Sequence, residues 1–207
     1  MDHGKPVYAC LELNVEVREN EFLGILGPSG SGKSSLLYLL SGLKLPTEGE
    51  IRYQGQNMSK LSDEARSKLR LREFGFVFQQ PYLLGYLTAK ENVALAARPG
   101  SHTANPEDLL SRLGMGDKMH RLPHELSGGE RQRVCVARAL FGQPRVIFAD
   151  EPTAALDHKN GKHVVELLNA NRGHGALVMV THDPSMLEAA DRILRLSDGV
   201  IESEEDL

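Results

Sequence analysis

An α/β fold with a mainly parallel sheet and an inserted block of helices is what the sequence predicts. Two observations predict the sheet. Short apolar runs of strand length recur (FLGIL, GFVFQQ, RVIFAD, ALVMVTH, RILRLSDG), and helical patterns stand between them, as parallel pairing requires. A third predicts the insert: from about 82 to 143 strand signals fade and helical ones crowd together. The 207 residues suit one domain, 1–207, with a helical subdomain at 82–143 inside it.

Taken in order, LELNVEVRE (11–19) alternates apolar and polar residues and reads as a half-exposed strand. FLGIL (22–26) is a buried strand stopping at Gly27, and SSLLYLLSGL (34–43) a helix with Leu36, Leu37, Leu40 and Leu43 at helical spacing. GEIRYQGQNM (49–58) reads as strand and turn, and SDEARSKLRLRE (62–73) as a charged helix capped by Ser62. After the strand GFVFQQ (75–80) come the helical TAKENVALAA, NPEDLLSRLGM and ERQRVCVARALF. The alternation resumes with RVIFAD, a helix over KNGKHVVELLNAN, the strand ALVMVTH, a helix over PSMLEAAD and the strand RILRLSDG. The terminal ESEEDL is acidic and reads as frayed.

Composition narrows the class. Apolar residues make up 41% and charged ones 25%, ordinary for a soluble globular chain. A net charge of −4 does not suggest a nucleic-acid partner. The two cysteines, Cys10 and Cys135, have no metal or redox spacing and read as reduced thiols of a cytosolic protein. No apolar stretch approaches the ~20 residues of a membrane helix, and MDHGKPVYAC lacks the regions of a signal peptide.

GPSGSGKS (27–34) carries the strongest chemical signal, matching G-x-x-x-x-G-K-[ST] between a strand and a helix. Its glycines let successive N–H groups face phosphates, Lys33 reaches the β- and γ-phosphates, and the Ser34 hydroxyl suits Mg2+. VIFADE (146–151) supplies Asp150 for the metal, directly or through water, and Glu151 to orient or deprotonate an attacking water. Alone, that pair could be two solvated carboxylates at a strand end; beside the phosphate loop the catalytic reading prevails. LSGGE (126–130) opens a second helix with a serine and two glycines, a second backbone anion site.

With LSGGERQR and VIFADEPT in view, the chain resembles the nucleotide-binding subunit of an ATP-binding cassette (ABC) transporter from about residue 7 to 202. Gln79 in FVFQQ, AALD (154–157) and His182 in VMVTHD complete the motif order. The resemblance implies a P-loop NTPase core whose antiparallel β edge is shortened here. It implies two copies packed head to tail around two Mg-ATP. Each ATP would rest on Gly27, Pro28, Ser29, Gly30, Ser31, Gly32, Lys33, Ser34 and Ser35 of one copy and face Ser127, Gly128 and Gly129 of the other. Mg2+ would be held by Ser34, Gln79 and Asp150. Glu151, His182, Gln79 and Lys33 would be the catalytic set, and Asp157 would cross the dimer interface. In isolation Gln79 would be a solvated strand-end glutamine, His182 a turn residue and Asp157 a helix cap; their roles rest on the resemblance.

FGFVFQQPYLLGYLTAKENVALAA resembles the lipoprotein-releasing, macrolide-exporter and cell-division group. That implies an integral membrane permease subunit as partner and a peripheral place on the cytoplasmic face of the cell membrane. One chain holds every catalytic residue, which favours a homodimer. The transported substrate lies with the membrane subunit. The alternative is an ATP-dependent dimerising module of a non-transporting complex; an ATPase acting on DNA or ribosomes fits neither the single cassette nor the acidic charge. The apolar loop Leu83, Leu84, Tyr86 and Leu87 would either receive a helix of the membrane subunit or pack the helices to the core.

Departures from the pattern carry expectations too. Family members open with a strand bearing an aromatic that stacks on adenine, yet only eight residues precede the match at about Ala9. Tyr8 matches a strand position and His3 is a weak substitute, so weak ATP binding with poor base selectivity is expected. Asn20 stands where the family has glycine, and Arg131 lies inside the signature.

Overall fold

In the computed structural model, residues 8–98, 105–173 and 175–207 are described, so His3 lies outside the described residues. Strands β1 (Phe22–Leu26), β4 (Phe74–Val77), β5 (Val146–Asp150), β6 (Ala176–Thr181), β7 (Arg192–Ser197) and β8 (Val200–Asp206) form one sheet. Its order is β4-β5-β6-β1-β7-β8. All neighbours are parallel except β7 and β8, which form an antiparallel hairpin. β2 (Arg52–Tyr53) and β3 (Gln56–Asn57) make a separate antiparallel pair. The helices are α1 (Lys33–Leu40), α2 (Asp63–Glu73), α3 (Ala89–Ala94), α4 (Pro106–Arg112), α5 (Gly128–Phe141) and α6 (His158–Ala170).

Strand alternation divides the core into two layers. Phe22, Leu26, Ile147, Ala149, Leu177, Met179 and Ile193 point to one face and join residues of α3, α4, α5 and α6. Leu23, Ile25, Phe148, Val178, Val180, Leu194 and Leu196 point to the other and meet Leu36 and Leu37 of α1 and Leu69 of α2. Both faces are covered, which is why the central strands read as unbroken apolar runs. Each fully buried leucine, isoleucine or phenylalanine contributes roughly 1.5–3 kcal/mol. The helices between β4 and β5 share the first layer directly with the sheet, from Val93 and Leu110 to Val134 and Ile147.

Four expectations are corrected. The segment 11–19 is extended but forms no strand; Leu13, Val15 and Val17 do turn inward, so its alternation reports burial without a ladder. α1 ends at Leu40, leaving Leu43 beyond it and exposed. PSMLEAAD yields only a 3-10 turn at Pro184–Leu187. The acidic terminus is not frayed: it is β8, paired along β7, because Arg192 and Arg195 of β7 meet Glu204 and Glu205. Arg192 is itself buried against Glu21 at 2.7 Å, tying the sheet edge to the start of β1. Asn20, standing for a glycine, takes φ 60, a left-handed conformation asparagine tolerates better than most residues.

Candidate active site

The register sets the site's parts in one row. Leu26 ends β1 opposite Thr181 of β6, and Asp150 ends β5 opposite Val180. The segments after these ends leave the sheet side by side at its carboxyl edge, where open parallel sheets hold ligands.

Residues 27–32 curl from β1 into α1. Gly27 and Gly32 are closed in by backbone: an added Cβ would fall 2.1 Å from the Leu196 carbonyl oxygen at Gly27, and 2.1 Å from that of Ala9 at Gly32. Gly32 also takes φ 98 and caps α1 without a side-chain hydrogen bond. Every other α-helix has a side-chain cap, from Ser62, Thr88, Asn105, Ser127 and Asp157. The first-turn N–H groups of α1, at Lys33, Ser34 and Ser35, therefore face outward with the positive end of the helix dipole. Pro28, Ser29 and Gly30 are exposed, Gly30 has open space about it, and the buried Ser31 hydroxyl lacks a partner. This cradle fits a polyphosphate. Lys33 lies over it, its Nζ donating to the carbonyls of Gly27 and Pro28 at 2.8 Å each.

Asp150 is buried, and both its oxygens are held from α1. Ser34 Oγ donates to Oδ1 and Tyr38 OH to Oδ2, each at 2.8 Å. Burial, and then the Asp150 carboxylate, push the Tyr38 hydroxyl up to about 12, so it stays a donor. Gln79, two residues past β4, lines the same depression of about 430 Å³ with Ser34, Tyr38 and Asp150. Hydroxyl, carboxylate and amide oxygen are hard donors that fit Mg2+. Among the described residues no group of three His, Cys, Asp or Glu could hold a metal ion.

Glu151 sits where β5 ends, with φ 45, and its N–H donates to the Val180 carbonyl at 3.0 Å. That left-handed turn is strained for glutamate and swings its carboxylate to His182, whose Nδ1 lies 3.0 Å from both oxygens. His182 is largely exposed while Glu151 is largely buried. The next residues turn back, Ala154 N–H donating to the Glu151 carbonyl, and end at Asp157. Asp157 caps α6 through the Asn160 N–H, which with the Asn160 side chain holds its carboxyl below the usual range.

Ser127 opens α5 with a reciprocal cap: Glu130 N–H donates to Ser127 Oγ, and Ser127 N–H to Glu130 Oε2. The Lys118 ammonium and then the Ser127 N–H hold the Glu130 carboxyl down at about 2. Ser127 Oγ accepts in this cap, and the Gly128 and Gly129 N–H groups, which the cap does not engage, lie in the first turn of α5. Arg131 donates to the carbonyls of Pro123 and Leu126, bracing the loop ahead of the helix. A Cβ at Gly129 would meet the Ala155 carbonyl at 3.0 Å, so the signature and the 154–157 turn share one surface. Among the described residues, no hydrogen bond or ion pair joins Ser127, Gly128 or Gly129 to residues 27–35.

The structure thus brings Lys33, Ser34, Gln79, Asp150, Glu151 and His182 to one edge. Ser127, Gly128, Gly129 and Asp157 form a second surface. Sequence reasoning passed over three residues. Tyr38 was hidden in a helical pattern, though it stands four residues, one turn, after Ser34. Gln132 and Arg138 of α5 grip the Gln79 loop, donating to the carbonyls of Phe78, and of Pro81 and Tyr82. Nothing in helical periodicity marks them.

Comparison with known proteins bears on this geometry. A family model described as "ABC transporter" matches residues 10–154. The lipoprotein-releasing system ATP-binding protein LolD of Aquifex aeolicus is 45% identical over 93% of this chain and 88% of its own length. The macrolide export ATP-binding/permease protein MacB of Bartonella henselae is 44% identical over 92% of this chain but only 30% of its own length. Among solved structures, the ATP-binding cassette MJ0796, a dimer in a post-hydrolysis state bound to ADP and Pi, superposes with a TM-score of 0.90 at 38% identity, covering 100% of this chain and 94% of that one.

Proposed function

Because the chain belongs to the ABC transporter family, we propose that it hydrolyses ATP as one of two head-to-tail copies that drive a membrane permease. The observation that carries this is the single row formed by the ends of β1, β5 and β6. The uncapped start of α1 binds the phosphates through backbone N–H groups, and Lys33 exchanges loop carbonyls for phosphate oxygens. Ser34, Asp150 and Gln79 would hold Mg2+, which when bound would supply positive charge against the phosphoryl oxygens. Glu151 accepts the proton of the attacking water, held in place by His182, whose exposed ring can also turn to the γ-phosphate.

Ser127, Gly128 and Gly129 have no such role at their own chain's phosphate loop. They complete the partner's site, and the 154–157 turn links that contact to Glu151 within eight residues of chain. Residues 82–143 act as a helical subdomain that carries the signature toward the partner copy. Gln132 and Arg138 make the Gln79 loop move with it.

The permease docks on this loop. Leu84 and Tyr86 are exposed, as are Tyr82 and Leu95, whereas Leu83 packs against the core. No helix among the described residues is long and apolar enough to cross a membrane. The chain works from the cytoplasmic face through the permease. The LolD name assigns that relative to a lipoprotein-releasing system, and the MacB name joins an ATP-binding part to a permease.

The test uses purified chain with Mg-ATP. The wild type should release phosphate, and Glu151→Gln should bind ATP, elute as a dimer and release phosphate at least ~100-fold more slowly. Hydrolysis by Glu151→Gln at the wild-type rate would refute the assignment. With the permease present, Leu84→Glu and Tyr86→Glu should lose its stimulation while keeping the basal rate.

A further inference from the structure

We propose that Tyr38 is a positioning residue for the metal site: its hydroxyl locks the Asp150 carboxylate in the orientation that meets Mg-ATP. This rests on the nucleotide reading given above. Ser34 and Tyr38 stand one helical turn apart, so α1 presents both hydroxyls on the same face, toward the end of β5. Each takes one oxygen of Asp150, at 2.8 Å. No other hydrogen bond or ion pair reaches that buried carboxylate among the described residues.

The two hydroxyls are not equivalent. Ser34 lies in the first turn of α1, at the phosphate loop, where its oxygen is required as a ligand and its hold on Asp150 must share that oxygen with the metal. Tyr38 lies one turn deeper. Its ring stands edge-on to Phe78 at 6.4 Å between centroids, with Lys44 Nζ 5.7 Å from the ring centre. Phe78 is in turn stacked on Phe76 at 5.5 Å and touches the ring of Tyr82 at 5.6 Å. The hydroxyl is thus aimed by aromatic packing that does not depend on ligand. Fixing Oδ2 leaves Oδ1 as the oxygen turned to the Ser34 side, where the metal would sit. Tyr38 therefore keeps Asp150 oriented while Ser34 changes partners. Through Phe78 it also meets the chain immediately before Gln79, so one side chain braces two of the three expected metal donors.

The experiment measures Mn2+ in place of Mg2+, by electron paramagnetic resonance, on Glu151→Gln chains saturated with ATP. Tyr38→Phe keeps the ring and removes only the hydroxyl. It should weaken Mn2+ binding about tenfold, while ATP affinity in EDTA stays within twofold of the parent. In an Asp150→Asn background the same change should have no further effect, because the group it orients is altered; this pair also separates an orienting role from general loosening of the helix. Mn2+ affinity within twofold of the parent in Tyr38→Phe would overturn the inference. So would an equal tenfold loss in the Asp150→Asn background. If the parent itself retains no Mn2+ with ATP, the nucleotide–metal reading fails instead.

Discussion

Glu151, the proton acceptor of the proposed mechanism, holds a backbone conformation that works against the fold. Its φ of 45 is a conformation glycine adopts freely and glutamate does not, a strain of about 1–2 kcal/mol. Glu151→Gly should therefore be at least as resistant to urea as the wild type, although it removes the His182 contact, while losing hydrolysis altogether. A drop in the urea midpoint would show that the contact outweighs the strain. The layout of the candidate site was legible at this scale where a motif dictates spacing: Gly27 to Ser34, Asp150 and Glu151 come together as their order along the chain led one to expect. Tyr38, Gln132 and Arg138 were not legible, because each acts on a partner far away in sequence. A helix pattern records which side is buried, not which distant carboxylate or carbonyl its one polar atom meets.

Among the elements, α5 is held at its first turn by a capping box that Lys118 reinforces. The Glu130 carboxyl is held near 2, below its ordinary 4.5, by Lys118 and the Ser127 N–H. A lowered carboxyl adds stability that is complete above 4.5 and is lost as pH falls toward 2. The Tm gap between wild type and Glu130→Gln should then be widest near neutral pH and close progressively through that window. β4 meets the same helix with no room to spare: a Cβ at Gly75 would lie 2.6 Å from the Ala139 carbonyl. Gly75→Ala should cost about 2 kcal/mol in urea unfolding, since a backbone oxygen cannot rotate away. Strands buried on both faces were readable from composition alone. β8 was misread because ESEEDL looks like a solvated tail until Arg192 and Arg195 stand opposite it. The same pairing makes Arg192 sensitive: Arg192→Leu strands Glu21 in the interior and should cost about 3–5 kcal/mol.

At the scale of the whole molecule, the proposed reading makes the phosphate edge and the signature surface two halves of one site, which a single copy keeps apart. Gly128 has no neighbour closer than 4.0 Å to an added Cβ, so a side chain there leaves the isolated chain undisturbed. Gly128→Glu should keep the wild-type Tm and the affinity of a single copy for ATP, yet stay monomeric by light scattering with Mg-ATP in the Glu151→Gln background. A nucleotide-dependent dimer of normal strength would mean that the helix end lies outside the interface. The two crowded glycines of the phosphate loop have a different consequence. Gly27 is closed by Leu196 and Gly32 by Ala9, residues of β7 and of the segment leading into the sheet. A library at 27, 30 and 32 selected only for soluble expression, with no demand for ATP use, should still return glycine at 27 and 32. Position 30, with open space and a φ of 83, should admit asparagine as well. The invariance expected of this loop across descendants would then record architecture as much as chemistry.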